Sequence, residues 1–248
     1  MTSWTLAPEL TDPEARRIFG SLDAVFALKG EHVARDPLSE VLRVGIEGKR
    51  YYVKRYTGAG KNTLRRWLGR PRVRAEWENL MDFRAWGIPT ATVVAHGLER
   101  RFGGFARGAM ITEEIPDTVD LARIAKMHDP RLKDRDWVDS VSRQVAAITR
   151  MMHDRNFVHN DLKWRNLLVT NHTPHVYLID CPSGEYWQGP FLRYRIIKDL
   201  ACLDKVAKYR LSRTQRLRFY HQYTGHRHLT ASDRTRISRI LTFFKGRE

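Results

Sequence analysis

Cysteine is scarce in this chain. Cys181 and Cys202 are the two cysteines among 248 residues, and they lack the close spacing of a CxxC pair. Neither a disulfide framework nor a cysteine-based zinc cluster is therefore indicated. No apolar stretch approaches the roughly 20 residues that a membrane-spanning helix needs. The N-terminal stretch also lacks the basic start and apolar run of a secretory signal. These absences favour a reducing, cytoplasmic setting.

Acidic residues are few relative to basic ones. Asp and Glu number 28 against 44 Lys and Arg, which gives a formal charge of +16. This excess favours anionic partners, such as nucleotide phosphates, nucleic acid, or an acidic membrane or glycolipid surface. It is concentrated in residues 43–74 and 205–248. The chain is nevertheless 42% hydrophobic, which is enough for a sizeable core and argues against wholesale disorder.

The first half of the chain is predicted to be rich in strands. Residues 41–46 (VLRVGI) and 50–56 (RYYVKRY) flank Glu47-Gly48-Lys49, a pattern that predicts a β-hairpin. Alternation in the second strand places Lys54 on the face opposite Val53. Helical spacing over about 73–86, closed by Gly and Pro, predicts a helix. Two further strands are predicted at 90–98 and 107–115.

The second half begins with a predicted helix over 136–155. Its apolar residues recur three and four apart, as on a helix packed against a core: Val138, Val141, Val145, Ile148 and Met152. Two short strands follow, NLLVT (166–170) and VYLID (176–180). From about residue 196 the chain is predicted to be helical and strongly basic.

An unusual polar cluster, FVHNDLKWRNLLV (157–169), lies between these apolar segments. If the two short strands form a hairpin, Asn166 and Asp180 lie at the same end, with Asp161 just before them. Amide and carboxylate oxygens at that end would suit Mg²⁺, and Asp161 would orient or deprotonate a hydroxyl. Lys163, two residues further on, would place a positive charge where negative charge develops during such a reaction. The alternative is that the three polar residues cap turns and that Lys163 is a surface lysine.

The motif HNDLKWRN resembles the catalytic loop H-R-D-L-K-x-x-N of the protein-kinase-like superfamily. Under that resemblance, Asp180 corresponds to the metal-binding Asp of D-F-G, and Lys54 to the lysine that holds the α- and β-phosphates of ATP. Glu76 is its implied ion-pair partner, although Glu78 competes for that place.

The same resemblance assigns two further regions. It makes TEEI (112–115) the hinge that takes the adenine edge, through Glu113 and Ile115. It also makes Asp199, in IKDLACL, a buried anchor of the catalytic loop. His159 would hold that loop by hydrogen bonding rather than act as a base.

A narrower resemblance extends from about residue 30 to 205. RDPLSEVLRV, YYVKRY, GIPTATV, FVHNDLKWRNLLV, YLIDCPSG and IKDLACLDK together are similar to the bacterial lipopolysaccharide core kinases, the Kdo/heptose kinase family. The resemblance implies an α+β, two-lobed kinase fold: an antiparallel-sheet small lobe (1–115) and a mainly helical large lobe (116–248). It further implies phosphorylation of an inner-core sugar hydroxyl by ATP and Mg²⁺. The enzyme would act on lipopolysaccharide, peripherally at the inner face of the inner membrane, and nucleic acid is not an expected partner.

The chain departs from the kinase pattern at three places. No G-x-G-x-x-G precedes Lys54, so residues 31–40 would have to cover the phosphates in another way. D-F-G is replaced by Asp180-Cys181-Pro182, which disfavours switching by a Phe. Only 18 residues separate Asp180 from Asp199, and no A-P-E occurs among them, which disfavours a protein substrate. Two rivals remain: a kinase of another acceptor (a protein or antibiotic), and an inactive relative that binds anionic lipid or nucleic acid.

Four other patterns have plainer interpretations. Residues 58–63 (GAGKNT) do not fit a Walker A motif and favour a solvated turn. The segment 61–74 is either a membrane-surface helix or a solvated basic face on the small lobe. His221, His226 and His228 are expected at the surface rather than on a metal. Three aromatic residues of the basic C-terminal region are expected in the core: Phe219, Tyr220 and Tyr223.

Overall fold

The computed structural model describes residues 1–58, 67 and 69–246. They form two compact units. Unit 1 comprises Met1–Ala85 and Thr90–Ile115, and unit 2 comprises Trp86–Pro89 and Pro116–Glu248. The predicted fold class, an antiparallel sheet followed by a mainly helical part, is confirmed.

Unit 1 is built on an antiparallel sheet. Its helices and strands are β1 (Thr2–Leu6), α1 (Pro13–Ile18), α2 (Leu22–Ala27), β2 (Glu31–Asp36), β3 (Ser39–Ile46), β4 (Lys49–Tyr56), α3 (Arg72–Ala85), β5 (Val93–Arg101) and β6 (Gly104–Glu113). Among the described residues, six strands pair in the order β1-β5-β6-β4-β3-β2. The predicted β3–β4 hairpin is confirmed, and its turn places Glu47 and Gly48 at positive φ.

The N-terminal elements of unit 1 were not predicted from the sequence. β2 is exposed along its whole length, so it lacks the alternation of apolar and polar residues that marks a half-buried strand. α1 and α2 have six residues each, too few to show helical periodicity. The strand predicted from residue 90 begins instead at Val93.

The two faces of β4 pack as alternation predicts. Tyr51 and Val53 lie in a core with Phe19 and Leu22, against α1 and α2. Arg55 is on this same face and donates hydrogen bonds to the backbone oxygens of Val25 and Leu28. Because successive side chains of a strand alternate, Lys54 lies on the opposite face.

Unit 2 is mainly helical. Its elements are β7 (Thr118–Asp120), α4 (Leu121–Lys126), α5 (Arg135–Asp154), β8 (Phe157–Val158), β9 (Leu167–Thr170), β10 (Val176–Leu178), β11 (Glu185–Tyr186), α6 (Gly189–Arg210), α7 (Arg213–Thr224) and α8 (Ala231–Thr242), with 3-10 turns at Pro130–Lys133 and Trp164–Asn166. The predicted apolar stripe of α5 is buried, from Val138 to Met152. α5 packs against α7, so the stripe faces the core of unit 2.

The β9–β10 hairpin positions the polar cluster. The two strands pair antiparallel, with Leu167 opposite Leu178, so the predicted hairpin is confirmed. Residues 159–166 enter this hairpin and residues 179–184 leave it at the same end. Asn171, in the turn at the opposite end, bonds to Asp117 beside β7.

Candidate active site

In unit 1, Lys54 forms an ion pair with Glu76. The Lys54 Nζ lies 2.8 Å from Glu76 Oε1, and the Tyr56 hydroxyl donates a hydrogen bond to the other carboxylate oxygen. The side chains of Lys54 and Glu76 are 17% and 3% exposed. A carboxylate that is buried needs a paired cation and hydrogen bonds, and this one has both. The arrangement fixes the ammonium group of Lys54 on β4.

Glu78, the competing partner, lies elsewhere. Its carboxylate pairs with Arg70 and Arg74, the latter one helical turn away on α3. The exposed face of α3 therefore carries Glu78, while Glu76 is almost wholly buried. The structure gives the ion pair with Lys54 to Glu76.

The predicted hinge residues lie at the end of β6. Glu113 is the last residue of the strand, and its backbone N–H donates to the Thr92 oxygen at 3.0 Å. Its side chain lies 3.5 Å from Lys49 Nζ. Ile115 is the last residue of unit 1. Their contact with adenine remains a prediction.

In unit 2, Asp199 of α6 holds the loop that follows β8. Its Oδ2 accepts a hydrogen bond from the His159 backbone N–H at 2.7 Å, and His153 Nε2 lies 3.5 Å from the same oxygen. Asp199 is wholly buried, so it fixes the backbone of this loop from inside the core. Burial lowers the pKa of the His159 imidazole, and the nearby Asp199 carboxylate opposes that shift. A fully buried imidazole suits a structural role.

Asp161 lies between two cations. Lys163 Nζ is 2.5 Å from Asp161 Oδ1, and the Arg165 guanidinium is 3.1 Å from Oδ2. The Asp161 side chain is 31% exposed, so solvent and substrates can reach it. The predicted base and the predicted phosphoryl-stabilising lysine are therefore adjacent. Arg165 was not singled out from the sequence, although its spacing of four residues from Asp161 was visible there.

Asn166 and Asp180 are joined through the backbone. The Ile179 N–H donates to the Asn166 oxygen at 2.9 Å, which places Asp180 one residue from that bond. Asn166 is 2% exposed, and its amide nitrogen donates to the Asp161 backbone oxygen at 2.9 Å. The use of the nitrogen leaves the amide oxygen as the atom that would ligate a metal. Asp180 adopts a left-handed backbone (φ 60°), uncommon for residues other than Gly, Asn and Asp.

These donors fit Mg²⁺ rather than a softer metal. Among the described residues, no group of three or more His, Cys, Asp or Glu side chains is arranged to hold a metal. One amide oxygen and one carboxylate make a sparse set of protein ligands. Mg²⁺ commonly binds one or two carboxylates and takes its other ligands from water and substrate phosphates.

Asn160 was missed in the sequence, although it stands inside the HNDLKWRN motif. Its side chain is buried and bonds in two directions, to the Ser183 backbone oxygen and from Arg195 of α6, both at 2.8 Å. The Arg195 guanidinium also stacks 4.2 Å from the centre of the Trp187 ring. Asn160 thus ties the loop that bears Asp161 to the segment after Asp180 and to α6. Nothing in the spacing of these residues signals that contact.

The remaining sequence predictions have mixed outcomes. Tyr220 and Tyr223 are buried, and Phe219 packs against the same core, so their assignment to the core is confirmed. His226 bonds to Asp233, itself held by Thr230, as part of a helix cap. Residues 59–66 and 68 lie outside the described residues, so most of the GAGKNT turn and of the basic segment 61–74 is not described. Trp67 lies against Gly104.

The chain matches the family model described as the lipopolysaccharide kinase (Kdo/WaaP) family over residues 23–223. It belongs to this family. A lipopolysaccharide core heptose(I) kinase, WaaP, from Pseudomonas aeruginosa is 29% identical over 218 residues, 81% of this chain and 79% of that protein. A 3-deoxy-D-manno-octulosonic acid (Kdo) kinase from Actinobacillus succinogenes is 27% identical over 122 residues, 46% of this chain and 48% of that protein.

A solved structure of WaaP in complex with acyl carrier protein has the same fold. It matches with a TM-score of 0.72 and 24% identity, covering 99% of this chain and 97% of that one. As a member of the Kdo/WaaP family, the chain is an ATP-dependent kinase that acts on a sugar hydroxyl of the lipopolysaccharide core. The predicted family, fold and enzyme class are confirmed. No helix in the described part of the chain is long and apolar enough to cross a bilayer.

Proposed function

We propose that this Kdo/WaaP kinase transfers the γ-phosphoryl group of ATP to a heptose or Kdo hydroxyl of the lipopolysaccharide inner core. We further propose that units 1 and 2 are the small and large lobes of one kinase domain. The match to the heptose(I) kinase is the longer of the two, which favours heptose. The observation that carries the proposal is the packing of Asp161, Asn166 and Asp180 around one end of the β9–β10 hairpin.

Each site residue has a role that its contacts support. Lys54, held by Glu76, would neutralise the α- and β-phosphates, and Glu113 and Ile115 would contact adenine through their backbone. Asn166 and Asp180 would hold Mg²⁺, which would neutralise phosphate charge when bound.

Asp161 would orient the acceptor hydroxyl and accept its proton, and Lys163, 2.5 Å away, would offset charge on the transferring group. A group that is held in place before the reaction lowers the barrier without further ordering. The contacts of Asp161 with Lys163 and Arg165 hold its carboxylate in one orientation.

The activity is tested with purified chain, labelled ATP and core oligosaccharide from cells that lack this chain. We expect one phosphate on a heptose or Kdo residue, located by tandem mass spectrometry. Chelation of Mg²⁺ should abolish the transfer, and added Mg²⁺ should restore it. Transfer to a peptide or an antibiotic, with the core oligosaccharide unmodified, would contradict the proposal.

We also propose that the protein works at the inner face of the inner membrane, bound peripherally to an anionic surface. A glycolipid acceptor is confined to a membrane, and a chain with net charge +16 is attracted to anionic lipids. The charge also suits an acceptor that carries phosphates and carboxylates.

A second proposal is that unit 2 binds an acyl carrier protein. The structural neighbour is a complex with that partner, and unit 2 contains a cavity of about 530 Å³ between α5, α6, α7 and α8. Val141, Leu200 and Ile240 are among the largely apolar residues that line it. Volumes of ~300–1,000 Å³ are usual for ligand sites. An apolar lining excludes water and suits the acyl chain that such a carrier delivers.

Filling the cavity should weaken this interaction. Ala207 lines the cavity from α6, so Ala207→Trp should reduce recovery of acyl carrier protein with the purified chain by about tenfold or more. Ala147→Trp, on the exposed side of α5, is the matched control and should recover it like the wild type. Thermal melting verifies that both variants fold, and Ala207→Leu serves if the larger residue prevents folding. Equal recovery from the wild type and Ala207→Trp would exclude the cavity as the binding site.

A further inference from the structure

The beginning of α6 and the end of α8 form an open groove with aromatic and cationic walls. Its volume is about 590 Å³, and the residues that line it include Pro190, Arg193, Tyr194, Ile197, Arg239 and Phe243. The groove lies wholly in unit 2. It is distinct from the apolar cavity described above, which lies on another side of α8.

Aromatic side chains beside this groove are exposed to solvent. Phe191 is 68% exposed and Tyr194 is 51% exposed, both in the first turns of α6. The ring of Tyr194 contacts that of Phe243, with ring centres 5.5 Å apart. Large apolar side chains exposed together at one site indicate an interaction surface. Rings with one apolar and one polar end are frequent where proteins meet the membrane interface.

The charge of the groove is uniformly positive. Arg193 and Arg239 are exposed, and neither forms an ion pair with an acidic side chain among the described residues. Residues 186–198 contain no acid, and residues 231–246 contain one, Asp233. Asp233 is buried and is bonded by Tyr220 and Thr230. Asp154 lines a neighbouring pocket with both arginines and is paired with Arg150. The cations around the groove therefore outnumber the nearby acids, and an anionic surface would balance them.

The groove is also connected to the candidate active site. Arg195, one residue beyond Tyr194, donates a hydrogen bond to Asn160, the residue before Asp161. The same turns of α6 thus carry the groove and brace the loop of the proposed base. α6 therefore links the groove to the loop that bears the proposed base, although Arg195 points to a different face of the helix from Arg193 and Ile197.

We infer that the α6–α8 groove is the surface by which this kinase docks on an anionic phospholipid bilayer. Arg193 and Arg239 would contact lipid phosphates, while Phe191 and Tyr194 would enter the region between the headgroups and the acyl chains. A nucleic acid would satisfy the cations equally, but it has no apolar layer to receive Phe191. This inference rests on the proposed action at a membrane glycolipid and adds to it the surface that makes the contact.

Cosedimentation of the full chain with vesicles tests the inference. We expect binding to phosphatidylcholine vesicles that contain phosphatidylglycerol, and little binding to phosphatidylcholine alone. The double variant Arg193→Gln/Arg239→Gln should bind about twenty-five-fold more weakly, since each cation near an anionic surface contributes about fivefold. The double variant Phe191→Ser/Tyr194→Ser should bind these vesicles at least about tenfold more weakly than the wild type.

Two control variants separate the groove from general effects. Arg123→Gln/Lys126→Gln removes the same charge from exposed positions on α4, and Tyr209→Ser removes an exposed ring from the other end of α6. Both should bind vesicles as the wild type does. All four variants should phosphorylate soluble, delipidated core oligosaccharide at the wild-type rate, because none alters a proposed site residue.

The outcomes distinguish this inference from the proposed function. Groove-dependent vesicle binding would support the docking surface even if no lipopolysaccharide acceptor were phosphorylated. The inference is overturned if the wild type does not bind anionic vesicles, or if the groove variants bind them as strongly as the control variants do. It is equally overturned if those variants lose affinity for single-stranded RNA while their vesicle binding is intact.

Discussion

Replacing Asp161 with Asn should lower kcat by about 10²–10⁴-fold, the range that a positioned general base contributes. The amide is almost the same size, so the loop held by Asp199 should keep its structure. The amide cannot accept the proton of the acceptor hydroxyl, and it lacks the charge that holds Lys163 at 2.5 Å. Single-turnover assays with core oligosaccharide measure the chemical step, and equilibrium titration measures ATP affinity, which should be nearly unchanged.

Asp154→Asn is the matched control for this substitution. Asp154 ends α5, is exposed, and is 3.4 Å from Arg150, so its replacement removes the same charge from unit 2 at a residue with no proposed role in the site. We expect its turnover to equal that of the wild type. Undiminished phosphorylation by Asp161→Asn would remove Asp161 from the role of base. A parallel loss of ATP affinity would instead indicate that the residue organises the nucleotide site.

Replacing Asp180 with Ala should weaken Mg²⁺-dependent ATP binding by at least about a hundredfold. Loss of an outer-shell partner of a metal ligand already costs about 10–100-fold in metal affinity, and a direct ligand should contribute more. The effect should be measured by ATP titration with and without Mg²⁺. Affinity in the absence of Mg²⁺ should be similar in the variant and the wild type, because the carboxylate acts through the metal.

Backbone strain is the competing explanation for any effect at Asp180, because this residue has φ of 60°. A left-handed Ala is strained by about 1–2 kcal/mol, whereas Gly adopts this conformation readily. Asp180→Gly should therefore show the same loss as Asp180→Ala if the carboxylate is responsible. Asn156→Ala introduces comparable strain at φ of 59° without removing a ligand, and it should retain Mg²⁺-dependent affinity. Recovery of binding in the Gly variant would assign the effect to strain.

The elements that the sequence predicted well are those whose pattern is local. The apolar stripe of α5 repeats over five positions, and the β3–β4 hairpin combines alternating strands with a turn at Gly48. β2 was not predicted, because it is an exposed strand without a local apolar pattern and depends on pairing with β3. α1 and α2 are too short to show helical periodicity, and packing against the sheet stabilises them more than their helix propensity does.

The candidate site was predicted as a set of residues rather than as a geometry. The spacing within HNDLKWRN, together with Asp180, identified its members, because a short loop and a hairpin leave few places for them. The spacing placed Lys163 and Arg165 near Asp161 without showing that both bind it, and it gave no indication that Asn160 connects two loops to α6. The contact of Asn160 with Arg195 joins different elements and depends on packing, whereas the two contacts of Asp161 lie within one loop and depend on how that loop is folded.

The sequence by itself determined the chemical identity of the groups: a lysine on a strand, three polar oxygen donors around a hairpin, and an excess of positive charge. Short-range spacing suffices for this, because chain geometry confines residues that are five apart to one loop. Tertiary structure alone decided that Glu76 rather than Glu78 reaches Lys54, and that Arg193 and Arg239, 46 positions apart in the sequence, line one groove. Such choices depend on which helix faces are buried, and the whole core fixes those faces.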